Sequence, residues 1–150
     1  MKALLVAMMV LATPAAARDA ANVLMPENSA ERAVQEEWGY ADAVIEGDMI
    51  YLSGVVAAPD VGENGLETGF DKAFTRIGAI LARAGASFDD VVDMTTYHTD
   101  IVPQVVAMAK VKKRYIKGPP PAWTAIGTTG LLDKRAVSEI KITAYKPRKG

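Results

Sequence analysis

The 150-residue chain carries 17 lysine and arginine residues against 18 aspartate and glutamate residues, one histidine and no cysteine. Its length and its apolar fraction of 50% suit one globular domain, and the balanced charge does not predict nucleic-acid binding. Without cysteine the chain has no disulfide, thiolate metal site or thiol nucleophile, and any seryl triad would have to include the single histidine, His98. We therefore expect no metal and no cofactor.

Residues 1–17 have the pattern of a secretory signal peptide. Lys2 precedes an uncharged apolar run at residues 3–11, and a small-x-small site ends at Ala17, directly before Arg18. The run is too short to cross a bilayer, which takes about 20 residues. We expect cleavage after Ala17 and a periplasmic or secreted mature protein, with an uncleaved anchor or a buried helix as the alternative.

The rest of the chain is expected to comprise a flexible N-terminal arm, residues 18–32, one α+β domain, residues 33–146, and a basic tail, residues 147–150. Runs of apolar and β-branched residues, broken by glycine and proline, predict most of the strands. The predicted elements, in chain order, are a strand at 33–37, strands at 43–46 and 49–56 joined by a turn at Gly47–Asp48, a loop at 57–68, a helix from Thr68 to Gly85, a strand at 91–99, a helix at 103–116 and strands at 123–129 and 137–145.

Sequence signals also predict the ends and the inner faces of the two helices. Thr68 and Asp71 resemble a capping box at the start of the first helix, and Gly85 follows its last periodic apolar residue. Pro103 suits the first turn of the second helix. The residues of the second helix that we expect to face the core are Val102, Val105, Val106, Ala109 and Ile116.

Both helices are predicted to lie on one face of a partly parallel sheet, because each helix connects two strands by a crossover. Val55, Ile126 and Ile140 are too apolar to line water, so we expect the other face of the sheet to be covered as well. A partner subunit is the simplest cover.

Six short motifs occur in the order and spacing of the RidA/YjgF family, whose members are also called enamine/imine deaminases or "endoribonuclease L-PSP". The motifs are Gly39-Tyr40, Leu52-Ser53-Gly54, residues 84–92 (AGASFDDVV), Thr99-Asp100, Pro119-Pro120-Pro121-Ala122 and Ser138-Glu139-Ile140. Together they make residues 33–146 resemble this family. The resemblance implies a chorismate-mutase-like fold and a homotrimer whose three sheets form a central barrel, with ligand clefts between adjacent subunits.

Trp123 is the most informative departure from the family pattern. In members that hydrolyse 2-imino acids, an arginine follows the Pro-Ala step and clamps the substrate carboxylate, whereas here Trp123 follows Ala122. An indole has one N–H group and no charge, so losing the clamp would cost about 2–5 kcal/mol of binding, or about 30-fold to several thousand-fold in affinity. Lys134 and Arg135 could substitute only from a polar turn. We therefore predict that the protein is not an efficient 2-imino acid deaminase.

The resemblance implies six further site positions. Glu139 matches an acidic residue that holds or polarises the attacking water, and it is our candidate catalytic residue. The ligand-binding candidates beside Trp123 are Tyr40, which packs over the ligand, Ser53 and Gly54, whose hydroxyl and backbone N–H face the cleft, Ala125, which lends a backbone N–H, and Met108, which replaces a common asparagine. The tryptophan and the methionine favour a flatter, less anionic and more apolar ligand, which Trp123 could stack on or, if it is a cation, attract.

These residues also have purely structural interpretations. Trp123 could fill a subunit interface, and alternation along the last strand makes Glu139 an ordinary solvated carboxylate. His98 is more typical of an exposed or rim histidine than of a general base, because no second titrating group is spaced to orient it. The basic run at residues 110–114 is typical of a solvated helix face.

The sequence leads to one function hypothesis and two alternatives. We expect an exported RidA-like homotrimer that binds a small molecule between subunits, without efficient 2-imino acid deaminase activity. We expect no contact with nucleic acid or, after signal cleavage, with the membrane. The first alternative is a hydrolase of a neutral enamine, imine or amide-like C–N bond, with Glu139 positioning water. The second and weaker alternative is an endoribonuclease, which the acidic pI of about 5.8 and the missing arginine disfavour.

Overall fold

The structure, a computed structural model, describes residues 19–147, where a mixed sheet packs with three α-helices. The predicted signal peptide and nearly all of the predicted basic tail lie outside the described residues. The strands are β1 Val23–Leu24, β2 Ala43–Glu46, β3 Met49–Leu52, β4 Val55–Ala57, β5 Val91–His98, β6 Ala122–Gly127 and β7 Ser138–Tyr145. The helices are α1 Ser29–Trp38, α2 Gly65–Arg83 and α3 Ile101–Tyr115, and short 3-10 turns occupy Ala20–Asn22 and Phe88–Asp90. No helix in this part of the chain is long and apolar enough to cross a membrane.

β7 is the central strand of the sheet. The paired strands follow the order β1-β2-β3-β7-β5-β6, and β4 pairs with β7 beside β3. β3, β4 and β5 run antiparallel to β7, whereas β5 and β6 are parallel and are connected through α3. The predicted α+β architecture with a partly parallel sheet is therefore confirmed, and β6 lies at one edge of that sheet.

The helices α2 and α3 pack against the same face of the sheet, as their crossover connections predict. Their inner residues and alternate residues of the strands form one apolar core. Its largest fully buried members are Ile50, Phe70, Phe74, Ile77, Leu81, Met94, Met108, Val111, Ile140 and Ile142. Burying one side chain of this size contributes roughly 1.5–3 kcal/mol, so this layer holds the helices in place over the sheet.

The other face of the sheet, called here the helix-free face, differs from the prediction. Val55 and Ile140, which we expected to lie there, are paired with each other across β4 and β7 and are buried beneath the helices. Their burial therefore gives no reason for a partner subunit. Ile126 does lie on the helix-free face, as expected, and is exposed there together with Tyr51, Val56 and Tyr145.

The strand predicted at residues 33–37 is wrong, because these residues belong to α1. The Asn28 side chain accepts hydrogen bonds from the backbone N–H groups of Ala30 and Glu31, which starts the helix. Gly39, at φ 71°, ends it in the left-handed conformation that glycine adopts without strain. Two ordinary capping signals thus outweigh the weak strand pattern between them.

The described part of the predicted flexible arm is attached to the domain. Residues Val23–Leu24 pair with β2 as the edge strand β1. The Arg83 guanidinium, on α2, donates to the backbone carbonyl of Met25 and, at 3.0 Å, to the carboxylate of Asp42. The arm is therefore held by a strand pairing and by a hydrogen bond from Arg83, which Asp42 in turn anchors, rather than being a loose linker.

The capping box predicted at Thr68 and Asp71 is wrong, because α2 begins at Gly65 and Thr68 lies within its first turn. The Asp60 N–H donates to the Gly65 carbonyl at 3.0 Å, and a Cβ at Gly65 would collide with the Asp60 carbonyl oxygen. This close approach lets the loop turn into the helix early. The helix ends as predicted, with Gly85 at φ 76°.

The inner face of α3 differs from the predicted one. Val102 and Val106, expected in the core, are 71% and 57% exposed. The buried residues of the helix are Gln104, Ala107, Met108 and Val111. The helix turns a glutamine inward because its amide has hydrogen-bond partners there, as described below.

Candidate ligand-binding site

Glu139 lies against a break between two strands. The predicted strand at residues 49–56 is interrupted at Ser53–Gly54, so that β3 and β4 pair separately with β7. The Glu139 side chain extends over Gly54, where a Cβ would lie only 2.6 Å from Glu139 Cδ. A larger residue at position 54 would therefore displace the Glu139 carboxylate from this place, and the structure brings these two predicted site residues together.

Backbone hydrogen bonds bring the segment that contains Tyr40 next to Ser53, one of the two residues of this break. The Ser53 N–H donates to the carbonyl of Asp42 at 3.0 Å, two residues beyond Tyr40. The Tyr40 N–H in turn bonds to the Gln35 carbonyl at the end of α1, and its ring is 46% exposed. Tyr40 and Ser53 therefore both lie at the end of the β2–β3 hairpin opposite its turn at Gly47–Asp48.

The helix-free face surrounds Glu139 with apolar neighbours. Its cross-strand partners are Val56 on β4 and Tyr97 on β5. Within the described residues, Glu139 has neither an ion-pair partner nor a side-chain hydrogen bond, although it is only partly exposed. A carboxylate in this setting can accept a hydrogen bond from a bound molecule or hold a water. Tyr97 was not among the predicted site residues, because its pairing with Glu139 is a feature of the sheet register.

Trp123 lies on the opposite face of the sheet, at the edge strand β6. It is paired with Met94 and packs against the core beneath the helices. Its indole Nε1–H donates to Thr96 Oγ1 at 3.0 Å, and Lys112 Nζ, from α3, lies 3.7 Å from the centroid of its ring. The structure therefore gives the indole a hydrogen-bond acceptor and a cation from its own chain.

Lys112 is a further candidate that sequence reasoning did not identify. The pKa of its ammonium is lowered, first because the group is partly buried and then because Lys113 is close by. Within the described residues no carboxylate pairs with Lys112, whereas Lys110 and Arg114, on the same helix, pair with Glu67 and Asp71. The basic side chains of residues 110–114, predicted to be solvated, thus make two kinds of contact: Lys110 and Arg114 bind acidic residues of α2, and Lys112 lies over the Trp123 ring.

The remaining predicted positions separate into an exposed and a buried one. Ala125 is exposed on β6, two residues after Trp123 and on the same face of the sheet. Met108 is fully buried in the core, so its side chain presents no surface to a ligand in this chain. Arg135, considered above as a substitute cation, already holds the carboxylate of Asp133 in a two-point ion pair at 2.9 Å and 3.1 Å.

His98 is neither exposed nor at a rim, as we had expected, but is fully buried. Its Nδ1 lies 2.8 Å from Ser138 Oγ and its Nε2 lies 2.9 Å from Thr96 Oγ1. Burial lowers the pKa of the imidazole, against a smaller opposing effect of the nearby Gln104 amide. His98 is therefore kept neutral inside the core. No group of three or more potential metal ligands occurs in residues 19–147.

Comparison with known proteins agrees with this architecture. Residues 30–146 match the family model described as "Endoribonuclease L-PSP". The chain is 37% identical over 114 residues to the RutC family protein YjgH of Escherichia coli (strain K12), a match that covers 74% of this chain and 86% of that protein. A solved structure of protein YJGH superposes with a TM-score of 0.70 at 32% identity, over 85% of this chain and 97% of that one.

A crystal structure of a YjgF/YER057c/UK114 family member from Mycobacterium tuberculosis superposes with a TM-score of 0.69, over 82% of this chain and 97% of that one. At 23% identity this match shows the fold alone. The family-model match and the 37% identity, by contrast, extend over nearly the whole described domain. The chain therefore belongs to the endoribonuclease L-PSP family, which is the RidA/YjgF family that the sequence motifs resemble.

Proposed function

We propose that this protein is a homotrimer that binds a small molecule in clefts between its copies and is not an efficient 2-imino acid deaminase. The observation that carries this proposal is the placement of Glu139 and Trp123 on opposite faces of one sheet. A small molecule that touches both kinds of side chain has to contact two copies of the chain. The clefts between subunits that the family resemblance implies meet this requirement.

The helix-free face supports an assembly of several copies. Tyr51, Val56 and Tyr145 are 44%, 41% and 46% exposed there, on neighbouring strands of the sheet. Exposed apolar side chains of this size favour burial against another protein surface. A second and third copy of the chain would cover this face and leave the helices outside.

The surroundings of Trp123 argue against tight binding of a free carboxylate. Its single N–H group is already bonded to Thr96, and it has no second donor to form a bidentate pair. The nearest described cation, Lys112, is a point charge directed at the indole ring rather than a planar fork. A ligand that is flat and weakly anionic fits this environment better than a 2-imino acid.

A hydrolase that acts on a neutral C=N or C–N bond is a second candidate, and the state of Glu139 favours it. The carboxylate is partly buried and lacks a partner from the described chain, so it is available to orient a water. The endoribonuclease alternative has no comparable support. The basic side chains Lys110 and Arg114 of α3 are paired with acidic residues of α2 and form no open phosphate-binding surface.

The proposal is tested by measuring ammonia release from freshly generated 2-imino acids and from neutral enamines of the same chain length. We expect little turnover of the imino acids by the wild-type protein. Turnover of them at rates typical of a deaminase would contradict the proposal, and its loss in Lys112→Met would identify the substitute cation. Turnover of the neutral substrates that disappears in Glu139→Gln would establish the hydrolase instead.

The assembly and the export of the protein are tested separately. Light scattering of the purified protein is expected to give the mass of three chains, and a stable monomer would contradict the proposed clefts. We further propose that the protein is exported after cleavage behind Ala17, on the basis of the signal-peptide pattern. Mass spectrometry of the protein recovered from its native host is expected to find Arg18 at the N-terminus, and an intact Met1 would refute export by this route.

A further inference from the structure

A continuous row of hydrogen bonds runs through the core beneath Trp123. It begins at the indole Nε1–H, passes through Thr96 and His98 to Ser138, and continues through Gln104 to Thr99. The successive donor–acceptor distances are 3.0, 2.9, 2.8, 3.3 and 3.1 Å. The last hydroxyl, Thr99 Oγ1, donates to the backbone carbonyl of Val137 at 3.1 Å. We call this set of residues the buried polar row.

The two ends of the buried polar row determine its direction. An indole N–H can only donate and a carbonyl can only accept, so every hydroxyl between them passes its hydrogen the same way. Gln104 donates from Nε2 to Thr99, which leaves its Oε1 to accept from the Ser138 hydroxyl. Ser138 Oγ then accepts from His98, and the histidine ring therefore carries its hydrogen on Nδ1.

The opposite ring nitrogen of His98 is then an acceptor. His98 Nε2, without hydrogen, accepts from the Thr96 hydroxyl at 2.9 Å, and Thr96 Oγ1 is free to accept the indole N–H. The other acceptor in reach of Thr96 Oγ1 is the Thr124 carbonyl, at the longer distance of 3.4 Å. The reverse arrangement would have to use this weaker contact and give up the hydrogen bond from Thr99 to Val137.

This direction also settles the chemistry of the Ser138–His98 pair. Ser138 receives a hydrogen bond from His98 and gives its own to Gln104, so the imidazole does not act as a base toward the serine. Both side chains are fully buried. The pair is therefore not a nucleophile, although its separation of 2.8 Å resembles that of a catalytic dyad.

We propose that His98, as the neutral Nδ1–H tautomer, is a positioning residue that fixes the Thr96 hydroxyl and through it the orientation of the Trp123 ring and of the Lys112 ammonium above it. The inference deepens the proposed function, since it matters to a ligand only if Trp123 borders the cleft. His98 itself reaches no ligand, because it is fully buried. The pocket chemistry at β6 would then depend on a residue in the core.

The chain offers an unusually clean test, because His98 is its one histidine and Trp38 is the one other tryptophan. Trp38 is 62% exposed, so Trp38→Phe leaves a single indole without disturbing the core. In this background, nitrogen-15 NMR is expected to show the Nδ1–H tautomer of His98 at neutral pH. A signal from the Nε2–H tautomer would overturn the proposed direction of the row.

The link to Trp123 is tested by Thr96→Val, with Thr95→Val as the matched control on the other face of the same strand. We expect the indole N–H of Thr96→Val to exchange with solvent about two- to tenfold faster, the range for losing one ordinary hydrogen bond. Thr95→Val is expected to leave the exchange unchanged. Thr96→Ser, which keeps a hydroxyl, is expected to restore slow exchange and the Nδ1–H signal if Thr96→Val folds poorly.

Equal exchange rates in Thr96→Val and Thr95→Val would refute the role of the row. These measurements need no ligand, so their outcome is separable from that of the proposed function. Efficient hydrolysis of 2-imino acids by a protein with a normal buried polar row would refute only the function. If the protein does not hydrolyse 2-imino acids efficiently but His98 is the Nε2–H tautomer, only the inference about His98 is refuted.

Discussion

Replacing Trp123 by arginine alone is expected not to create an efficient 2-imino acid deaminase. The ring contacts Lys112 Nζ at 3.7 Å from its centroid, so an arginine at this position would bring a second cation next to the ammonium. The same substitution removes the hydrogen bond to Thr96. The Lys112 ammonium would repel the new guanidinium from the position in which it could bind a substrate carboxylate. The test therefore combines Trp123→Arg with Lys112→Met, which removes this charge.

The magnitudes come from the contacts of the indole. A hydrogen bond such as that to Thr96 contributes about 0.5–1.5 kcal/mol and a cation–π contact about 0.5–2 kcal/mol. Trp123→Arg should therefore lower the free energy of unfolding by about 1–3.5 kcal/mol. Against this, a desolvated arginine clamp would strengthen carboxylate binding by about 2–5 kcal/mol, or about 30-fold to several thousand-fold. Only the double variant removes the repulsion that opposes this gain.

The assay is ammonia release from a freshly generated 2-imino acid, with urea unfolding to compare the stability of each variant. Lys113→Met in the Trp123→Arg background is the matched control, because Lys113 is the exposed neighbour of Lys112 on α3. We expect kcat/KM to rise in the Lys112→Met double variant and not in the Lys113→Met one. The reasoning is refuted if Trp123→Arg alone gains as much as the double variant, or if the well-folded double variant gains nothing.

Three further predictions follow from single residues. In Gly54→Ala the new Cβ would lie 2.6 Å from Glu139 Cδ, so this atom should move by at least 0.8 Å to reach the ordinary contact distance of 3.4 Å. We expect any Glu139-dependent turnover to fall by about 100-fold. Gly130→Ala, at a position with open space around it, is the control and should leave turnover unchanged. Gly85→Ala should lower the free energy of unfolding by about 1–2 kcal/mol in urea titrations, because φ is 76° there, and an unchanged midpoint would contradict this. Because burial lowers the pKa of His98 in the folded protein, the unfolded chain binds the proton first as the pH falls below about 6.5. Unfolding free energies should therefore be lower at about pH 5.5 than at about pH 7.5, whereas a flat profile would show that His98 is not desolvated.

Local signals in the sequence were enough for most of the fold. Gly85 ends α2, and the turn at Gly47–Asp48 joins β2 and β3. Both glycines have a positive φ, 76° and 57°, which glycine adopts without strain, so their positions in the sequence predict these ends. α1 was missed because it has no apolar stripe, and Gln35 is its one buried side chain. Its capping residues, Asn28 and Gly39, are the local signals in the sequence that mark this helix.

The inner face of α3 shows where sequence periodicity fails. Valine at positions 102 and 106 suggested the wrong side of the helix, since hydrophobicity alone cannot predict that Gln104 has partners in the core. Thr99 lies only five residues before Gln104, but its other partner, Ser138, is 34 residues away on β7. A buried polar group is stabilised only by such contacts, which no local pattern contains.

The candidate site was predictable as a set of positions but not as an arrangement. Alternation along β7 correctly separates Glu139 from Ile140, yet which face is covered by helices depends on strand pairing. The family resemblance identified position 123 but gave no sign that Lys112 would lie on its ring. Tyr97 became a neighbour of Glu139 through the register between β5 and β7.

The two halves of the proposed cleft have separate structural supports, and this explains how one can change while the other is kept. Glu139 depends on the break at Gly54 and on β4, on the helix-free face. Trp123 depends on α3 and on the buried polar row, on the opposite face. The two supports meet at β7, where Ser138 of the row directly precedes Glu139, but the two side chains lie on opposite faces of the sheet. In the proposed cleft, an exchange of arginine for an indole at β6 would therefore alter the surroundings of Thr96 and Lys112 on the face away from Glu139. Under the proposed function, the charge of the ligand would change on one side of the cleft while the Glu139 carboxylate is retained on the other.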